Sequence, residues 1–249
     1  MINSVAVISD IHGNVLALEA VVADISRRGV DVVINLGDHV SGPLWPKKTV
    51  RFLMQQEWIQ ISGNHDRQLV QQDPDSLGPS DRYAFESLDA KEKDWLRALH
   101  PTGRLNDETL LFHGTPSDDS SYLLETIEHG RTRLASPNEV LHRLGNARSP
   151  VMLCGHTHVQ RLVEPGIGTM IVNPGSVGLP AYRDDSPVPH VVESGSPHAR
   201  YALLENQDAK WTVEFIAVSY DSQKAAAQAL RNDRPDWAIA LRTGSMSQQ

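Results

Sequence analysis

The sequence predicts an α/β protein built around a parallel sheet. Three observations lead there: near-continuous apolar runs, amphipathic helical stretches between them, and polar residues gathered just past the ends of the runs. Residues 4–9 form the first run and end in Ser9-Asp10, as expected of a strand buried on both faces. From Asn14 to Arg28 the apolar residues Leu16, Leu18, Val21, Val22 and Ile25 recur at helical spacing, with Asn14 placed to cap the start and Gly29 to stop the helix. Residues 32–36 predict a second strand, 45–55 a helix opened by Pro46, and 58–62 a third strand. Strand–helix–strand units of this kind join parallel neighbours through right-handed crossovers.

After residue 66 the pattern changes. Residues 80–99 predict one or two polar helices, with a start signal over residues 88–92. Strands are expected at 109–112 and 150–154, and helices near 120–128 and 137–144. Short strands at 160–164, 169–172, 200–204 and 211–217, separated by Gly, Pro and Asn turns, predict a second, mixed sheet. Residues 222–231 are Ala-rich and helical, and the polar tail from Gly244 is expected to fray. Between Asp184 and His198, Pro187, Pro189, Gly195 and Pro197 predict a surface loop, with a lid over the active site as the alternative.

Composition narrows the classes. The chain has 249 residues, 40% of them hydrophobic, enough for a sizeable core. No apolar stretch approaches the roughly 20 residues of a membrane span, and residues 1–7 read as a strand, not a signal peptide. A single cysteine excludes an intramolecular disulfide framework and fits a reducing, cytoplasmic compartment. A net charge of −8 argues against long nucleic acids as partners. It does not explain why so acidic a chain carries 11 histidines.

Several of those histidines stand where chemistry is done. Asp10 and His12 lie two apart past the first strand, and in extended chain such residues point the same way and can reach one ion. Asp38 follows 28 residues later, past the second strand, and Asn64-His65 another 26 residues on, past the third. Open α/β sheets place their sites at that edge. A polar turn explains one such ending easily and three badly. His113-Gly114 and Gly155-His156-Thr157-His158 add three histidines in the second half: one past the 109–112 strand and two past the 150–154 strand. Glycines beside Asp38, Asn64, His113 and His156 permit close backbone approach or positive φ.

The ordered set Asp10-x-His12, Gly37-Asp38, Gly63-Asn64-His65-Asp66, His113-Gly114 and Gly155-His156-Thr157-His158 resembles the calcineurin-like metallophosphoesterases, most closely the small bacterial and archaeal phosphodiesterase-type members. Residues 173–178 (NPGSVG) resemble the loop after that family's last motif, and Tyr220-Asp221 with the final helical segment resembles the subgroup's ending. The resemblance implies a four-layer α/β/β/α sandwich of two mixed sheets flanked by helices. One domain over 1–249 is expected, with helical insertions at about 80–105 and 115–145 and a loop insertion at about 183–199.

Carried over by motif, Asp10, His12 and His158 hold one metal ion and Asn64, His113 and His156 the other, with Asp38 bridging through its two oxygens. Such mixed ligands suit manganese, iron, zinc, nickel or cobalt better than magnesium or calcium, and for the two divalent ions manganese is the first expectation. The implied reaction is hydrolysis of a small or nucleotide-like phosphodiester or phosphomonoester by a metal-bridging hydroxide. His65 corresponds to the histidine near the leaving group, and Asp66 is expected to orient His65 or a ligand. A protein phosphatase and a catalytically silent metal-binding scaffold remain as alternatives. Arg67, Tyr182 and Arg183 read as surface residues or as contacts to substrate. His39 is expected to be structural, Cys154 a core residue, and the five tryptophans packing.

Overall fold

Alternation along the first strand divides its side chains between two layers. The structure, a computed structural model, describes residues 2–207 and 210–246. Strand β1 (Ser4–Ile8) sends Ala6 and Ile8 against Leu18, Val21 and Ile25 of helix α1 (Val15–Arg28). Its Val5 and Val7 face the opposite way, into a second apolar layer. The Asn14 side chain accepts from the Ala17 N–H at 3.3 Å, and Gly29, at φ 66°, closes α1 in a left-handed cap.

β1 lies in a five-stranded sheet ordered β14 (Lys210–Val218), β13 (Ala199–Gln207), β1, β2 (Val32–Asn35), β3 (Ile59–Gln60). β1, β2 and β3 are parallel, joined by α1 and by α2 (Pro46–Leu53), whereas β13 and β14 run antiparallel. The second sheet is ordered β4 (Thr102–Asn106), β5 (Thr109–Phe112), β8 (Val151–Leu153), β10 (Met170–Pro174), β9 (Gln160–Val163), and it too is mixed. Val5, Val7, Ile34 and Leu36 of the first sheet pack on Leu111, Val151, Leu153 and Val172 of the second. Each such aliphatic side chain contributes about 1.5–3 kcal/mol when fully buried. Phe112, Met152 and Ile171 face outward onto Val140 and Leu144 of α6 (Pro137–Leu144), completing the helix–sheet–sheet–helix order.

A third sheet, absent from the sequence expectation, adds to this sandwich: β11 (Ala181–Asp184), β12 (His190–Glu193), β7 (Arg131–Leu134), β6 (Glu125–Glu128). It corrects two readings. Residues 120–128 are not a helix, and the 115–145 insertion holds the β6–β7 hairpin with α6 as its helix. His129 and Gly130, at φ 51° and 73°, supply the two positive-φ residues that a two-residue hairpin requires. The stretch read as a loop at 183–199 contains β12, paired antiparallel with β11, and its prolines are confined to the turn and flanks.

Helices α4 (Pro79–Ser87) and α5 (Ala90–Ala98) fill the 80–99 region, α5 opened by reciprocal capping between Asp89 and Glu92. α7 (Ser222–Arg231) is followed by α8 (Pro235–Thr243), which the sequence reading missed. Nor does the tail fray from Gly244: Ser245 Oγ and the Met246 N–H both donate to Glu193 Oε1, at 2.6 and 2.8 Å, while residues 247–249 lie outside the described residues. Among the described residues no helix is long and apolar enough to cross a membrane.

Candidate metal centre

The turns after β1, β2, β5 and β8 bring their polar residues to one sheet edge. Ligand atoms of Asp10, His12 and His158 lie within 4.8 Å of one another, as do those of Asp38, His113 and His156. His158 Nε2 is 3.2 Å from Asp10 Oδ1, and His113 Nε2 is 3.2 Å from Asp38 Oδ2 and 3.8 Å from Asp10 Oδ1. Asp38 Oδ2 also lies 3.9 Å from His12 Nε2, so this one oxygen faces both groups. Asp38 Oδ1 is engaged elsewhere, accepting from the His65 N–H at 3.0 Å.

Hydrogen bonds fix which nitrogen each histidine presents. Carbonyl oxygens only accept, so the Nδ1–H groups of His12, His113 and His158 donate to Ser41, Leu36 and Leu179, at 2.8, 2.8 and 2.7 Å. Their Nε2 atoms are left to face the site. His156 is turned the other way: Nε2–H donates to the Ser120 carbonyl at 3.0 Å and Nδ1 is presented. His12 and His158 bring their Nε2 atoms within 3.1 Å, where two lone pairs repel unless a cation lies between them. Among the described residues, Asp10 Oδ1, Asn64 Oδ1 and His113 Nε2 are buried without hydrogen-bond partners. Four imidazole nitrogens, two carboxylates and an amide oxygen therefore fit two divalent transition-metal ions.

Electrostatics follow the same geometry. Burial alone would raise the Asp10 carboxyl, but His158 and then His113 hold it down at about 2. Against the same burial, His113 and His65 hold Asp38 well below the usual carboxylate range. Burial would also lower His113, yet the Asp38 charge lifts it to about 9. His12 and His156 are pushed down to about 4, by burial and by the neighbouring His158 and His113 respectively, which favours the neutral form that metal binding would require.

The backbone is bent to make these contacts. Asp10, His12, Asp38, His156 and His158 all sit at φ between 51° and 69°. The left-handed region costs a residue with a β-carbon roughly 1–2 kcal/mol. Asp10 and His12 thus converge through a left-handed turn, not through the extended alternation expected from their spacing. Two motif glycines serve close approach: a β-carbon on Gly63 would strike Asp38, and one on Gly155 would strike Ser9 and Asp10.

His65 and Asp66 open α3 (Asn64–Gln71), and the structure separates their surroundings. The donors to the Asp66 carboxylate do not include the His65 ring. That carboxylate accepts from the N–H groups of Asp38, Gly63 and His39 at 2.8, 2.9 and 3.0 Å, and from His39 Nδ1 at 2.7 Å. It therefore pins the turn that carries Asp38, and His39 is structural, stacked edgewise on Trp95. Asp66→Ala would leave four buried N–H donors without this acceptor, three of the backbone and one of the His39 ring. We expect it to cost about 3–5 kcal/mol, read as a lower urea midpoint; an unchanged midpoint would contradict this role.

The partner of His65 is Asp81 of α4, whose oxygens lie 3.0 and 3.1 Å from Nδ1. Burial would lower His65, but Asp81 and then Asp38 raise it to about 10. Asp81 was missed because, beside Pro79, it reads as an ordinary acidic residue in a first helical turn. Arg67 is bound to Asp119 by two contacts of 2.6 Å, which fasten the loop whose Ser120 carbonyl holds His156. Cys154 is a core residue, as expected. Trp237, read from the sequence as packing, also walls the cavity over the site, with its ring 6.0 Å from that of His12. That cavity measures about 1270 Å³ and is also lined by Asn64, His65, Tyr182 and the exposed Arg183.

The chain is similar to known proteins along most of its length. It is 27% identical over 260 residues to the uncharacterized protein MJ0912 of Methanocaldococcus jannaschii, with 94% of each chain covered. A metallophosphoesterase from Sphaerobacter thermophilus superposes with a TM-score of 0.75 at 24% identity, covering 98% of this chain and 100% of that one. The hypothetical protein PH1004 of Pyrococcus horikoshii OT3 superposes with a TM-score of 0.72 at 18% identity, covering 98% and 99%. The sequence profile of the calcineurin-like phosphoesterase superfamily domain matches residues 4–194, a span containing every residue of the candidate centre, and the chain belongs to that superfamily.

Proposed function

We propose that the protein is a phosphoesterase that hydrolyses a small or nucleotide-like phosphate ester with two divalent transition-metal ions at this edge, manganese foremost. The observation that carries the reading is the meeting of two triads of ligand atoms around Asp38, with His65 beside them. Asp10, His12 and His158 would hold one ion and Asn64, His113 and His156 the other. Asp38 would bridge them, its Oδ2 facing both groups while Oδ1 accepts from the His65 N–H. When bound, such a pair supplies positive charge for phosphate oxygens and acidifies a water molecule.

The chain's own residues supply the rest. Asp81 holds His65 by Nδ1, which leaves Nε2 to donate a proton to the departing alkoxide, and its charge stabilises the imidazolium that a proton donor must be. Asp66 acts at one remove by holding the Asp38 turn. The cavity is roomy enough for a nucleotide-sized alcohol. The test is a panel of phosphomonoester, phosphodiester and dinucleoside polyphosphate substrates with Mn²⁺. Turnover that a chelator abolishes and added metal restores is the expected result. Two bound ions with no turnover of any substrate would overturn the enzyme reading.

A further inference from the structure

The wall above His156 and His158 is a pair of tyrosines whose hydroxyl directions can be deduced. Tyr182, on β11, packs edgewise on the His158 ring with centroids 4.7 Å apart. Tyr122, on the segment before β6, does the same to His156 at 5.0 Å. Their hydroxyls meet at 2.6 Å, and Tyr122 Oη is also 2.8 Å from His190 Nε2. Both tyrosines line the cavity.

His190 sets the polarity of this chain. Its Nδ1 lies 2.8 Å from the Val188 carbonyl, which only accepts, so the proton of the neutral imidazole is on Nδ1 and Nε2 is an acceptor. Tyr122 must then donate its O–H to His190. With that proton committed, Tyr122 Oη can only accept from Tyr182, so the Tyr182 O–H points at Tyr122. Both hydroxyl protons are consumed within the protein. Among the described residues no group donates to Tyr182 Oη, which therefore offers the cavity lone pairs and no proton. A phosphate oxygen, itself an acceptor, would be repelled there, whereas an O–H group would be bound.

We infer that Tyr182, oriented by Tyr122 and His190, is a specificity-determining residue that accepts a hydrogen bond from a free hydroxyl on the alcohol part of the substrate. The favoured substrates are phosphate esters of a polyol, a sugar or a ribonucleoside, over esters of simple alkyl alcohols. The inference rests on the phosphoesterase reading and deepens it.

Equilibrium titration of the metal-loaded protein tests it without turnover. The probes are dihydroxybutylphosphonate, a non-hydrolysable mimic of glycerol phosphate, and butylphosphonate, which lacks the hydroxyls. The wild type should bind the dihydroxy compound roughly tenfold more tightly, the worth of one neutral hydrogen bond. Tyr182→Phe should erase that preference by weakening the dihydroxy compound alone. Tyr122→Phe should also reduce it, because Tyr182, deprived of its acceptor, is free to turn its proton toward the cavity. Equal binding of the two phosphonates by the wild type, or equal weakening of both by Tyr182→Phe, would overturn the subsite while leaving the phosphoesterase reading intact. Binding of neither phosphonate would overturn both.

Discussion

Replacing Asp38 by Asn is expected to lower affinity for both metal ions, not for one. Asp38 Oδ2 lies 3.2 Å from the presented nitrogen of His113 and 3.9 Å from that of His12, so the two ligand groups share it. The amide keeps the shape and can still accept from the His65 N–H, but it removes a negative charge placed between the two proposed ion positions. Losing a ligand costs more than the roughly 10–100-fold in metal affinity of losing a residue that merely supports one. We therefore expect about 100-fold or more at each position, measured as metal content after dialysis and by calorimetric titration. An undisturbed stoichiometry of two would rule out the bridge.

His65→Ala should separate chemistry from metal binding. A positioned proton donor contributes roughly 10²–10⁴-fold to turnover, and that is the expected loss, with two ions still bound. Loss of both ions in this variant would refute the role. Asp81→Asn should fall between the two enzymes. It keeps a partner near Nδ1 but removes the largest favourable influence on the His65 charge. The sign is definite: a proton donor works below its pKa, and without Asp81 that pKa falls, so the decline of activity on the alkaline side moves to lower pH. A merely structural role for Asp81 would leave that limb in place.

The readable part of the molecule was its local part. Asn14 and Gly29 mark the ends of α1, and the apolar runs at β1, β2, β5 and β8 each stand just before a polar turn. The β6–β7 hairpin was misread because its exposed, charged strands lack the apolar alternation that signals a half-buried strand. β12 hid among prolines. Its pairing with β11 is a tertiary fact, and it holds because Pro187 and Pro189 fall in the turn and need no ladder hydrogen bond.

The sequence by itself determined the sandwich core and which polar residues stand just past its buried strands, since that adjacency is written in the chain. Only the tertiary structure decided which oxygen of Asp38 faces both groups of candidate ligands, that Asp66 holds a turn, that Asp81 pairs with His65, and that two tyrosines line the cavity. These depend on contacts between residues from 16 to 75 positions apart. A carboxylate or phenol on a cavity wall has the same sequence signature as one in open solvent. What distinguishes them is the partner that long-range packing brings within hydrogen-bond reach.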